Sequence, residues 1–338
     1  MDRRKILTIA VVSTSGLAVL RWGAAAQQAS KIYRIGVLVN GAAIVNGKPN
    51  TQTESLRAGM AQLGYIEGTN VVYEVRFPEG RLDRLPNFAA ELARAGVDII
   101  VAYGGPPTDA ARKATKMIPI VVALVADPVA ISVAATLERP AGNITGVTNH
   151  DPEIAARHMA LLKDLLPNIK RVAILSDLDI PGADATGLVP GERANAAAAR
   201  AAGLVPQVLK LRGPKPDFDG AFKAMTDAAA EALVVLEVPA YFNIPKVVAE
   251  NATAHRLPTV FWGGAGDAGA LISYGTSFSA NFSRMPAFVD RILKGSDPAN
   301  MAFEVVSHRE LTINLKTARE LGLTIPADLL KRADRVIE

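Results

Sequence analysis

Arg34-Ile35-Gly36-Val37-Leu38-Val39 and Arg171-Val172-Ala173-Ile174-Leu175 are short apolar runs whose first residues lie 137 positions apart, and the elements after each run decide the fold. After the first run, residues 50–64 read as a helix closed by Gly64, and 71–77 as a strand. Residues 82–95 then read as a helix closed by Gly96, 97–103 as a strand, 107–116 as a helix and 118–125 as a strand. Runs of about five to eight apolar, β-branched residues alternating with helices predict a parallel sheet covered on both faces. The second run opens the same series, with strands at 205–211, 232–236 and 257–261. The offset is 135 residues from Val97 to Ala232 and 139 from Ile118 to Leu257. Near-constant spacing over four elements predicts two similarly built α/β lobes with Rossmann-like parallel sheets and a ligand cleft between them. A short-period solenoid is excluded.

The lobes are joined through Arg139-Pro140-Ala141-Gly142-Asn143-Ile144-Thr145-Gly146-Val147-Thr148-Asn149, a turn followed by a crossing strand. A helix over 152–166 follows, with Pro152 in its first turn, and another spans 281–294 up to Gly295. The tail holds a strand at 311–315 and two short helices. The predicted division is a signal peptide at 1–26, a first lobe of 27–147 with 276–303, and a second lobe of 148–275 with 304–338.

The 338 residues are 49% hydrophobic and 21% charged, as expected of a globular chain with two cores. The absence of cysteine removes disulfides, thiolate nucleophiles, cysteine-bound metals and a cysteine-linked lipid anchor. Arg3, Arg4 and Lys5 precede an apolar run from Ile6 to Leu20, and Ala24-Ala25-Ala26 comes after it. This is the pattern of a signal peptide cleaved after Ala26, hence of a periplasmic protein. The apolar run falls short of the ~20 residues that span a bilayer. Arg3-Arg4 also leaves a twin-arginine export route open beside the general secretory one. Four basic groups and one acid in residues 1–26 account for most of the net charge of +4. The remaining body is near neutral and has no electrostatic footprint for nucleic acid.

In open parallel sheets, ligands bind beyond the carboxyl ends of the strands. Those ends carry Asn40, Gly41, Tyr103, Gly104, Gly105 and Asp127 in the first lobe, and Asp177, Glu237, Trp262, Gly263 and Tyr274 in the second, with Asn149 on the crossing. Structural roles compete at each. Gly104-Gly105 can be a turn opening a helix, Asp127 a helix cap, and Tyr103 and Trp262 core aromatics. As a site, free N–H groups at Gly104, Gly105 and Gly263 suit a carboxylate, acids suit an ammonium and aromatic rings suit a flat side group. Together they favour a small amino-acid-like or carboxylate ligand. Gly264-Ala265-Gly266-Asp267-Ala268-Gly269 fits a dinucleotide fingerprint, yet it runs into the strand-like 270–274 where a long helix is required. His150, His158, His255 and His308 show no metal-binding spacing, and no carboxylate pair forms an acid/base couple. Neither a catalytic set, a metal nor a cofactor is predicted.

These residues also carry a family resemblance. Tyr33-Arg34-Ile35-Gly36-Val37-Leu38, Gly59-Met60-Ala61-Gln62-Leu63-Gly64-Tyr65, Ile118-Pro119-Ile120-Val121, Ala126-Asp127-Pro128-Val129 and Ser273-Tyr274-Gly275 occur in order with Val289-Asp290-Arg291-Ile292-Leu293-Lys294-Gly295 and Ile313-Asn314-Leu315-Lys316-Thr317-Ala318. In this series the chain resembles the substrate-binding proteins of bacterial ABC importers related to the tryptophan-binding type. The resemblance implies a type I periplasmic-binding fold with three crossings, closure on ligand, monomeric action and ABC permease subunits as partners. An exported sensor docking on a membrane receptor would share the fold. The chain departs from the family at Gly105, where Thr or Ser is usual, and at Glu237-Val238, where Pro-Asp is frequent.

Overall fold

The computed structural model describes residues 31–338 apart from 46, 181, 214, 239–240 and 242–243, so the predicted signal peptide lies outside the described residues. Strand β1 (Tyr33–Leu38) leads through a small ribbon, β2 (Ile44–Val45) and β3 (Lys48–Pro49), into helix α1 (Thr51–Gln62). Then come β4 (Val71–Arg76), α2 (Leu85–Arg94), β5 (Ile99–Tyr103), α3 (Gly105–Ala114), β6 (Ile120–Ala123) and β7 (Ile144–Thr148).

All five residues of β5 are buried, and their alternation explains why both faces of this sheet need helices. Ile99, Val101 and Tyr103 join Ile35, Val37, Leu56 and Met60 in one core. Ile100 and Ala102 point the other way, into a core with Leu38, Leu85, Ala89 and Leu92. Burying each Val, Ile or Leu contributes roughly 1.5–3 kcal/mol, so this sandwich is where the first lobe gains its stability.

The series repeats with α4 (Ile154–Leu165), β8 (Arg171–Asp177), α5 (Pro190–Ala201), β9 (Val205–Leu211), α6 (Phe218–Asp227) and β10 (Ala232–Val235). It ends with α7 (Pro245–Ala254), β11 (Thr259–Phe261) and β12 (Ile272–Gly275). The chain crosses back through α8 (Phe278–Phe282), α9 (Met285–Leu293) and β13 (Glu304–Val305). It closes with β14 (Glu310–Asn314), α10 (Leu315–Leu321), α11 (Ala327–Lys331) and β15 (Arg335–Ile337). The first sheet has the order β13-β7-β6-β5-β1-β4 and the second β15-β14-β12-β11-β10-β8-β9, parallel but for the β12–β14 pair. In both, the second strand of the series lies outside the first and the third lies inside it. The internal repeat of the sequence is thus a repeat of topology.

Three local readings change. The helix expected from Pro152 begins at Ile154. The one expected over 281–294 is two helices, because Pro286 has no N–H to continue the first and instead opens the second. Strand β13 pairs with β7 in the first sheet, so residues 304–305 extend that sheet past the expected division at 303/304. The glycine-rich 264–269 segment holds only a single turn, Gly266–Ala268, between β11 and β12. Among the described residues no helix is long and apolar enough to cross a membrane.

Candidate functional site

The strand order reverses between β1 and β5 in the first sheet and between β8 and β10 in the second, and such switch points open a crevice at the strands' carboxyl ends. Asn40 and Gly41 follow β1, and Gly104 and Gly105 follow β5. Asp177 ends β8, and Glu237 lies two residues past β10. Six of the twelve candidate residues thus sit at strand ends beside the two switch points.

Gly104 has φ +91°, and a Cβ there would stand 3.0 Å from Asn40 Nδ2, so a larger residue would be strained and would crowd the Asn40 amide. Its N–H is not free as expected: it donates to the Ala123 carbonyl at 2.8 Å, and only Gly105 continues into the first turn of α3. Gly263 packs so tightly on the crossing chain that a Cβ would reach to 2.4 Å of the Thr276 carbonyl oxygen.

The aromatic faces are largely core. Tyr103 is fully buried, its ring set edge-on to Phe282 at 5.4 Å and its hydroxyl donating to the Gln52 carbonyl at 3.2 Å. Burial pushes its phenol well above the usual range. Trp262 is buried beside Phe261 in the core of the second lobe. The cleft exposure expected of both from their strand-end positions does not follow, because each ring turns into the apolar layer under its own sheet. Tyr274 is half-buried and tied to α4: its hydroxyl accepts from Arg157 Nη1 at 3.3 Å, and its carbonyl meets His158 Nε2 at 3.1 Å.

Among the acids, Asp127 caps a turn by accepting the Ala130 N–H at 2.9 Å. The buried Asp177 likewise accepts the Asp179 N–H at 2.9 Å. Glu237 is different. Its Oε2 accepts from Asn149 Nδ2 at 2.9 Å, joining the end of β10 in the second sheet to the end of β7 in the first. Burial raises its carboxyl to about 7, only partly offset by the Asn149 hydrogen bond. The buried Asn149 Oδ1 has no hydrogen-bond partner among the described residues.

Among the other polar side chains that share this property are Gln52 and Asn281, neither of which the sequence pattern singled out. Gln52, held in the first turn of α1 by the Asn50 cap, is 1% exposed, and among the described residues neither its Nε2 nor its Oε1 has a partner. Asn281 in α8 is buried with its Oδ1 unpartnered. A signal was present for the first. Gln52, Leu56 and Met60 are spaced four apart, so an amide occupies a position on the buried stripe of the helix.

A cavity of about 770 Å³ lies between the lobes beside this region, touching it at Pro106, but none of the predicted residues lines it. Arg81, Asp83, Asp109 and Lys113 on one side and Asp179 and Arg212 on the other make it an ionic flank. The unpartnered amides of Asn40 and Asn149 lie at the strand ends instead, and we place the candidate site there. Among the described residues no group of three His, Asp or Glu side chains converges to hold a metal.

Two α/β lobes with matching strand orders, joined by crossing segments, define the type I periplasmic-binding fold. The chain belongs to the ABC transporter substrate binding protein family, whose profile matches residues 39–337. Similar solved structures include the ABC domain from Streptococcus pneumoniae in complex with L-Trp, 24% identical with a TM-score of 0.76 over 91% of this chain and 100% of that one. A conserved domain protein from Vibrio cholerae has the same identity and TM-score over 90% of this chain and 100% of its own. At these identities the likeness concerns the fold. A tyrosine-binding protein of Clostridioides difficile is 29% identical over 112 residues, which is 33% of this chain and 32% of that protein; the match spans about a third of the relative's length.

Proposed function

We propose that this chain is the periplasmic solute-binding component of an ABC importer, taking a small amino-acid-like or carboxylate ligand between its lobes and presenting it to the permease. It acts by binding and closure, not by catalysis. The observation that carries the reading is the Asn149–Glu237 contact between the ends of the two sheets, with an unpartnered amide oxygen beside a half-buried carboxyl. Such a carboxyl is the natural partner of a ligand ammonium, which would draw it back into its charged form. The L-Trp complex of the Streptococcus protein and the name of the Clostridioides relative support this ligand class.

The test is a thermal-shift screen of amino acids, aromatic acids and small organic acids, followed by calorimetry. A ligand at a hundredfold excess over its dissociation constant stabilises the fold by about 2.7 kcal/mol. An amine-bearing ligand is expected to release protons on binding at pH 6, read from titrations in two buffers of different ionisation enthalpy. Glu237→Gln should abolish the release. Binding with no proton release and no effect of Glu237→Gln would remove the ammonium from the proposal. Export with cleavage after Ala26 predicts a periplasmic species whose intact mass begins at Gln27.

A further inference from the structure

The buried amides of the first lobe form a chain of neighbours. Asn40 lies against Gly104, and Gly104 follows Tyr103. The Tyr103 hydroxyl holds the Gln52 carbonyl, and its ring packs on Phe282, the residue after Asn281. Helix α1 also packs directly against α8, which carries Asn281. Within this patch, Asn40 Oδ1, Gln52 Oε1, Gln52 Nε2 and Asn281 Oδ1 are all buried and without partners among the described residues. The second amide atom of Asn281 is used internally, donating to the Ser277 carbonyl at 3.1 Å.

Leaving a buried donor or acceptor unsatisfied is costly, and four in one patch point to a group that completes them. The inventory fixes its chemistry. Three carbonyl oxygens and one NH₂ offer more acceptors than donors, and none of Asn40, Gln52, Tyr103, Gly104 and Asn281 is charged. A carboxylate would set oxygen against oxygen here, and an ammonium would lack a counter-charge. We propose that Gln52, with Asn40 and Asn281, is a specificity-determining subsite for a neutral, proton-donating group on the ligand, a hydroxyl or a primary amide. The inference rests on the binding function proposed above and adds to it which end of the ligand the first lobe reads.

The experiment uses the mature chain and three matched pairs by calorimetry: L-tyrosine with L-phenylalanine, 4-hydroxybenzoate with benzoate, and L-glutamine with L-glutamate. A site built to hydrogen-bond a hydroxyl or amide rejects the analogue lacking it far more strongly than an apolar pocket rejects a missing methylene. In at least one pair the hydroxyl or amide member should bind tenfold or more tightly than its partner. Gln52→Met should bring that ratio below threefold while leaving the melting temperature of the ligand-free protein unchanged or higher, since it removes two unpartnered polar atoms from the interior. A merely structural glutamine would instead lower the ligand-free melting temperature and leave the ratio intact, which overturns the proposal. Equal binding within every pair, or no binding of any hydroxyl or amide member, overturns it too. Tight binding of phenylalanine, benzoate or glutamate alone would remove this subsite and leave the proposed binding function standing.

Discussion

At the scale of single residues, a strand-end position sets where the backbone lies and leaves open where the side chain points. Asn40, Asn149 and Glu237 fall within two residues of the ends of β1, β7 and β10, where topology fixes the backbone. Whether Tyr103 or Trp262 faces a cleft or a core depends on which side of the pleat the ring leaves from, which a strand-end position alone does not specify. Gln52 was missed for the opposite reason, as a polar residue on a stripe expected to be apolar. Glu237 yields the first prediction. Its carboxyl is held at about 7 against an ordinary 4.5, so the folded protein binds this proton more tightly than the unfolded chain. The group therefore favours folding below about pH 4.5, and this contribution is lost as pH rises through 7. His158 works with the opposite slope: burial lowers its pKa, so its share of stability is lost as pH falls below its ordinary 6.5. Comparing wild type with Glu237→Gln cancels the histidine. Urea denaturation of the ligand-free proteins from pH 5 to 8 should show the variant gaining about 1–3 kcal/mol on wild type over that range. Parallel stability profiles would mean that the carboxyl is solvated and unshifted.

At the scale of elements, identity and order of the strands and of most helices were legible, since buried parallel strands read as unbroken apolar runs. The ends were less so. Residues 118–119 and 257–258 are apolar enough to prolong β6 and β11, yet the ladders begin only at Ile120 and Thr259. Pro286 carried enough information to split the last long helix, and the apolar periodicity across it obscured the break. The most demanding element is β7, which leaves the first sheet for the crossing. Gly146 within it has φ +149°, and a Cβ there would come within 2.1 Å of the Val122 carbonyl oxygen on β6. That oxygen is backbone in the sheet and cannot swing away. Gly146→Ala is expected to destabilise the protein by about 3 kcal/mol or more, seen as a lower denaturation midpoint with an unchanged slope. A midpoint near that of wild type would show that β6 and β7 separate without cost. Gly142 in the turn leading into the same strand is also at positive φ (+153°), but a Cβ there would meet nothing within 4 Å, so Gly142→Ala serves as the milder control.

At the scale of the whole molecule, the repeat gave two lobes, but nothing in it revealed how the connections between them are tied. Arg309 does this from the segment between β13 and β14. Its Nε donates to Asp151 Oδ2 at 2.9 Å and its Nη2 to the His150 carbonyl at 3.2 Å, while Nη1 holds the Val306 carbonyl. The guanidinium thus clamps the crossing that follows β7 to the crossing that follows β13. Its side chain is 14% exposed and that of Asp151 13%, so the pair is screened little by solvent. Removing one partner strands the other as a mostly buried charge, which costs far more than the intact pair contributes. Arg309→Met should lower stability by about 2–4 kcal/mol, and Arg309→Lys should recover only part, because an ammonium cannot serve three acceptors in one plane. The decisive measurement is the double-mutant cycle with Asp151→Asn. If the clamp acts through the ion pair, the double variant should be more stable than the sum of the single losses predicts, by about 1 kcal/mol or more. Strict additivity would mean that Arg309 acts through the His150 and Val306 carbonyls alone, and that the two crossings are joined by backbone contacts without the charge.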